Sequence, residues 1–85
     1  MTILYIVTEV EQLVDQQPES RVVGVYSSKE LAQQAMVKSV IGLKAGAESD
    51  QPWGQEVTER GLTVADPSGS RYTFDIVVRN LDEIL

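Results

Sequence analysis

The strongest local pattern in the sequence is the start of a helix just after residue 26. Ser27 can accept a hydrogen bond at the helix N-terminus, and Glu30, three residues later, completes a capping box. Tyr26 and Leu31 occupy the two positions of a hydrophobic staple. Because these signals agree, we predict that a helix begins at about residue 28.

The predicted helix covers residues 28–44, and Gly42 or Gly46 can end it. At 100° per residue, one broad stripe should face the core; it contains Leu31, Ala32, Ala35, Met36, Ser39, Val40 and Leu43. Val37 and Ile41 lie one helical turn apart and outside this stripe. We therefore predict that these two aliphatic side chains point away from the core.

The rest of the chain shows strand patterns. We predict strands at residues 2–8, 21–26, 55–65 and 71–80. Residues 3–7 are apolar at both parities, so the first strand is expected to be central and covered on both faces. Residues 9–20 are polar and contain Pro18, which indicates a long loop between two antiparallel strands.

A hairpin is predicted near the end of the chain, where the turn residues 66–70 separate the last two strands. In its second arm alternate side chains predict one inner face, made of Tyr72, Phe74, Ile76 and Val78. Gly61 in the first arm can mark a bulge. Together the patterns predict one α+β domain over residues 1–85, an antiparallel sheet of about four strands with a single helix, residues 28–44, on one face.

Composition excludes several kinds of chemistry. The chain has no cysteine and no histidine, so thiolate catalysis, disulfides, the commonest general base and the commonest metal ligand are absent. The acids at residues 9–19 and 48–50 lack the spacing of a calcium-binding loop. No glycine-rich nucleotide fingerprint is present. We therefore predict a protein that is not an enzyme, with no cofactor and no bound metal.

Charge bears on the class of partner and on location. The net charge of -6 disfavours direct binding to nucleic acid and to anionic membranes, whereas it attracts a basic protein. The sequence lacks an apolar run of about 18 residues, and its first residues lack the features of a secretory signal. We expect a cytoplasmic protein with no direct contact to nucleic acid or membrane.

The apolar pattern favours an interaction with protein. One helix cannot cover both faces of the sheet, yet the first two strands are apolar on both sides, and Val37 with Ile41 adds an outward apolar pair. Trp53, between a proline and a glycine, is either a plug over the small core, which we favour, or a partner contact. We predict a protein partner or a homodimer; the candidate interface residues are Val37, Ile41, Trp53, Gln33 and Lys44.

Two alternatives remain open at this point. The first is an inhibitor that presents its acids to a basic target in place of nucleic-acid phosphates. The second is a small-ligand-binding domain, although a core this small can hardly spare a cleft of several hundred cubic ångströms. A deep cleft lined by tyrosine beside arginine would favour it; the candidates are Tyr5, Tyr26 and Tyr72 with Arg71 and Arg79.

Residues 22–32, Val-Val-Gly-Val-Tyr-Ser-Ser-Lys-Glu-Leu-Ala, resemble a pattern in small uncharacterised bacterial and phage proteins. In those proteins a strand similar to residues 3–7 comes first, and a closing strand ends near a Leu-Asp pair, here Leu81-Asp82. The long acidic loop and the hairpin beyond Trp53 depart from their usual shorter pattern. The resemblance covers about half of the chain and implies a compact ββα-plus-strands fold, and it makes a phage origin an expectation. It implies no activity and no site residues.

Overall fold

The computed structural model describes residues 2–46, 52–59 and 61–84. Its elements in chain order are β1 (Ile3–Gln12), β2 (Glu19–Tyr26), α1 (Lys29–Ala45), β3 (Gly54–Val57), β4 (Gly61–Ala65), β5 (Arg71–Asn80) and α2 (Leu81–Ile84). The sheet order is β2-β1-β5-β4-β3, and each of these neighbouring pairs is antiparallel. The predicted α+β class, with a helix packed on an antiparallel sheet, is confirmed.

The first hairpin is longer than the sequence predicted. The loop expected over residues 9–20 is wrong, because β1 continues to Gln12 and β2 already begins at Glu19. The polar end of β1 is held between two strands, since it pairs with β2 on one side and with β5 on the other. Asp15, with a φ of 61°, makes part of the tight connection, a conformation that aspartate tolerates better than most residues. Pairing on both sides therefore overrides the polar composition of this stretch.

The predicted strand over residues 55–65 is two strands, so the sheet has five strands instead of about four. The chain reverses where the Thr58 N–H donates to the Gly61 carbonyl at 2.9 Å and the Gly61 N–H donates to Thr58 Oγ1 at 3.1 Å. A Cβ atom at Gly61 would lie 1.7 Å from the Phe74 carbonyl oxygen, so only glycine fits. Gly61 thus permits a close backbone approach after a turn, and the predicted bulge is not what it marks.

The start of α1 differs from the prediction by one residue. Ser28, and not Ser27, is the N-cap, and its hydroxyl accepts a hydrogen bond from the Leu31 N–H at 3.2 Å. The predicted capping box and staple are therefore out of register. Tyr26 is still paired within β2, so both serines are needed to turn the chain from the sheet into the helix. The helix ends at Gly46, one of the two predicted positions.

The hydrophobic core lies between α1 and one face of the sheet. Its buried members are Val7, Ala32, Met36, Val40, Val64, Tyr72 and Phe74. The predicted helix stripe is confirmed except for Leu31, which is exposed. On the predicted inner face of β5, Tyr72 and Phe74 are buried but Val78 is exposed. The reason is that α1 packs mainly against β1 and β2. β1 is central, as predicted, but α1 covers only one of its faces.

Candidate functional site

The sheet face opposite α1 is called the open face below. Strand pairing places on it Leu4, Ile6, Thr8, Val10 and Gln12 of β1, Ser20, Val22 and Val25 of β2, Glu56 of β3, Thr63 and Ala65 of β4, and Arg71, Thr73, Asp75, Val77 and Arg79 of β5. The core residues of β1, β4 and β5 occupy the alternate positions and face the helix. The open face therefore consists of the side chains that the core does not use.

The centre of the open face is an apolar row that crosses three adjacent strands. Ile6 lies directly opposite Val25 on β2 and directly opposite Val77 on β5. Val25 is 54% exposed and the neighbouring Val22 is 62% exposed. An antiparallel sheet with one solvated face normally carries polar residues there. This sheet instead presents β-branched aliphatic side chains to solvent, which is typical of a contact surface.

The open face is electrically neutral although the chain is strongly acidic. Its charged side chains are Arg71 and Arg79 against Glu56 and Asp75, two positive and two negative, so they sum to zero. β1 and β2 contribute no charged side chain to it. The whole net charge of -6 thus belongs to the remainder of the molecule. Like-charge repulsion is consequently weakest at the open face.

The molecule exposes more surface than a compact chain of its size. Its radius of gyration is 14.1 Å, against about 12 Å for a compact domain of this length. Its accessible surface is 6110 Å², whereas a compact monomer of 9.4 kDa exposes roughly 5,000 Å². The extents of 45 × 25 × 21 Å show an elongated molecule, and the excess of roughly 1,100 Å² reflects that shape as a whole.

A groove lies on the other side of the sheet, beside α1. It has a volume of about 930 Å³, and its apolar lining includes Met36, Val37, Val57, Leu62, Ile76 and Val78. Tyr5 and Arg79 also line it, the combination expected for a small-ligand site; Arg79 of the open face takes part because the groove follows residues 75–79 along the edge of β5, where the pairing with β4 ends. This space is a groove on the surface, left because α1 covers only part of the sheet, so the expectation that so small a core can hardly spare a deep cleft stays a prediction. Val37, Val57 and Val78 are each more than half exposed, so the groove is open to solvent.

The candidate interface residues from the sequence are spread over different surroundings. Val37 and Ile41 are exposed, at 53% and 62%, as predicted. Gln33 and Lys44 are also exposed, and Gln33 lines the groove with Val37. Trp53 is half-buried, and its ring stacks on Tyr72 with the centroids 6.1 Å apart; this is where the core-plug alternative placed it. The role of these five residues as an interface stays a prediction.

One buried acid was not anticipated from the sequence. Glu9 is 1% exposed on the covered face, and its Oε1 accepts a hydrogen bond from the Arg21 Nε at 2.5 Å. Its Oε2 has no hydrogen-bond partner within the described part of the chain. The alternation of β1 is the signal that could have found it, since Glu9 shares the parity of Val7. A single carboxylate paired with arginine is a structural ion pair.

The acids form no metal site in the part of the chain that is described. No group of three or more acidic side chains comes close enough there to hold a metal ion, and Glu48 and Asp50 lie outside the described residues. Burial, followed by the charges of Asp66, Glu11 and Glu9, raises the pKa of Tyr72. The Tyr72 hydroxyl therefore stays protonated at neutral pH and is not activated as a base.

Comparison with protein-family models, curated proteins and solved structures found no match to this chain. The resemblance to small bacterial and phage proteins, the phage origin and the inhibitor role stay predictions. Within the described residues, neither helix has the length and apolar character needed to cross a membrane.

Proposed function

We propose that this chain is a non-catalytic protein-interaction module that binds through its open face. The observation that carries the proposal is the apolar row of Val25, Ile6 and Val77 at the centre of a neutral surface on an acidic molecule; Val25 is exposed, and Ile6 and Val77 are half-buried. Scattered exposed aliphatic residues are ordinary, but residues paired directly across three strands form one continuous surface. This continuity supports a macromolecular contact here.

The geometry also favours a macromolecular partner with a flat surface over a small-molecule ligand. A ligand site is concave and surrounds most of its ligand, whereas the open face follows the plane of a sheet. Two sheets that pack face to face lie about 10 Å apart and interdigitate their side chains. The β-branched row on the open face is suited to that packing, because such side chains stand stiffly from a pleated surface. The binding surface of the partner is therefore expected to be flat and apolar at its centre.

A site-specific photo-crosslinker tests the proposal in the cell that makes the protein. Placed at Val25, on the open face, the crosslinker should join the chain to one defined protein after irradiation. Placed at Gln34, an exposed position on α1, it should give no such product. Mass spectrometry of the crosslinked band identifies what is bound. If neither position gives a product, or both give the same diffuse mixture, the open face is not a binding surface.

A second candidate function is the binding of a small apolar acid in the groove. The observation in its favour is the 930 Å³ groove, whose lining holds Tyr5, the cations Lys29 and Arg79 and the acids Glu59 and Asp75. Phenylacetate and octanoate are suitable probes, because each combines an apolar body with one carboxylate. Titration of ¹⁵N-labelled protein should shift the amide signals of Val37 and Ile76 saturably. Absence of saturable shifts at millimolar probe would exclude this function.

A further inference from the structure

We infer that the occupant of the open face is a second copy of this chain, packed face to face to form a two-fold symmetric sandwich of two sheets. The inference rests on the proposed function and names its partner. It places the two-fold axis between the sheets, along the row of Val25, Ile6 and Val77. Each apolar row then stacks on the same row of the second copy, and the strands of the two sheets run antiparallel.

The charges of β5 are arranged as such an axis requires. Asp75, Val77 and Arg79 are successive residues on the open face, so the acid and the base lie about 7 Å to either side of Val77. A rotation of 180° about the row exchanges these two sides. Arg79 of each copy then faces Asp75 of the other copy, which gives two equivalent ion pairs. A two-fold interface must be complementary to itself, and this strand meets that condition.

Electrostatics favours a copy of this chain at this face and disfavours contact elsewhere. Two molecules of net charge -6 repel each other, so they can approach closely only where the local charge is balanced. The open face is balanced, with two arginines and two acids. A strongly basic partner would instead gain most from the acidic remainder of the molecule. The neutral face is therefore suited to a second copy.

The layout of the open face agrees with that of a protein interface. The open face supplies an apolar centre, and charges lie toward its rim at Glu56, Arg71 and Arg79. This division into apolar core and polar rim is typical of protein interfaces.

Charge reversal tests the inference through its symmetry. Multi-angle light scattering should give wild-type protein about twice the 9.4 kDa mass of the chain. Asp75→Arg should raise the dissociation constant at least ~10-fold, because it places arginine opposite Arg79 of the other copy, and Arg79→Asp should do the same with two acids. The double variant should return to within a few-fold of wild type. An equimolar mixture of the two single variants should form a heterodimer.

Controls separate this inference from its competitors. Circular dichroism must show that each variant is folded, and Val25→Lys provides a disrupting variant that leaves β5 unchanged. Val37→Lys with Ile41→Lys should leave the mass at that of the dimer. A loss of the dimer in this helix variant but not in Asp75→Arg would place the interface on α1 and overturn the inference.

The crosslinking experiment distinguishes failure of the inference from failure of the proposed function. A product of twice the chain mass from position 25 supports the inference. A monomeric wild-type protein that crosslinks to a different protein at position 25 overturns the second copy as occupant and leaves the proposed function standing. A monomeric protein that crosslinks to nothing at that position overturns both.

Discussion

The two faces of the sheet are built from the same strands, yet they differ in burial. On the covered face, Val7, Val64 and Phe74 are completely buried against α1 and the chain around it. On the open face, Val22 and Val25 of β2 are more than half exposed. Both faces are apolar at their centres. An apolar face is therefore stabilised by any surface that covers it. Here α1 covers one face of the sheet, and the other face is left for a partner to cover.

The difference divides the apolar residues into two energetic groups. Side chains on the covered face leave water when one chain folds, and each contributes about 1.5–3 kcal/mol through burial. Side chains on the open face keep part of their surface in water until something binds, so more of their burial contributes to association. Substitutions on the two faces should consequently separate folding stability from binding. The following predictions, ordered by expected size, test that separation.

The largest effect is expected at Phe74. Phe74→Ala removes a completely buried ring and should lower the free energy of unfolding by about 3–5 kcal/mol, because the cavity cannot close. Val77→Ala, three residues away on the open face, should cost about 1 kcal/mol or less in the isolated chain. Urea unfolding at concentrations low enough to avoid association measures both. Equal losses at the two positions would show that the faces do not differ in this way.

The next effect concerns the ion pair on the covered face. Arg21→Met leaves the buried Glu9 carboxylate without its hydrogen-bond donor and should destabilise the fold by about 2 kcal/mol. Glu9→Met combined with Arg21→Met should recover much of the loss, since no buried charge is then left unpaired.

Arg79→Met on the open face is the matched control for that ion pair. It should change the stability of the isolated chain by less than about 0.5 kcal/mol, because the side chain is exposed. The same urea series measures all three variants. An Arg21 variant as stable as the Arg79 variant would mean that Glu9 reaches water when its partner is lost.

A smaller effect is expected at the start of the helix that covers the core. Ser28→Ala removes the hydroxyl that accepts from the Leu31 N–H and should cost about 1 kcal/mol. Ser27→Ala, one residue earlier, should change the stability by only a few tenths of a kcal/mol. Thermal unfolding followed by circular dichroism distinguishes the two serines. The reverse order would place the cap at Ser27.

The smallest effect on stability is expected from a substitution in the turn between β4 and β5. This turn joins strands that contribute to both faces, so the substitution should affect the two faces equally. Asp66 Oδ1 accepts hydrogen bonds from Ser68 Oγ at 2.6 Å, from the Ser68 N–H and from the Ser70 N–H. The Ser68 hydroxyl is the main cause that lowers the pKa of Asp66 below its usual 3.8. The stabilisation is thus complete above the unfolded pKa and is lost as the pH falls through the lower, folded pKa.

Asp66→Asn isolates this contribution. At neutral pH the variant should be less stable than wild type by up to about 1 kcal/mol, since an amide oxygen is a weaker acceptor than a carboxylate. Below about pH 4 the difference should shrink as Asp66 becomes protonated in wild type. Urea unfolding at several pH values measures it. A difference that grows as the pH falls would contradict this role of the carboxylate.

Local pattern in the sequence was enough to predict most of the individual elements. The predicted helix over residues 28–44 agrees with Lys29–Ala45, and the predicted last strand over residues 71–80 agrees with Arg71–Asn80. The outward position of Val37 and Ile41 was also predicted correctly. Helical periodicity, alternation along a strand and turn residues act over a few positions, so they can be detected without knowing the rest of the fold.

Long-range pairing decided the remainder. The polar end of β1 is a strand only because β2 and β5 hold it on both sides, and the turn before Gly61 is required by its close approach to Phe74. The row of Val25, Ile6 and Val77 exists only in the register of three strands that are distant in sequence. The neutrality of the open face depends on the same register. Contacts between distant segments set that register, and residue types within one segment carry no information about it.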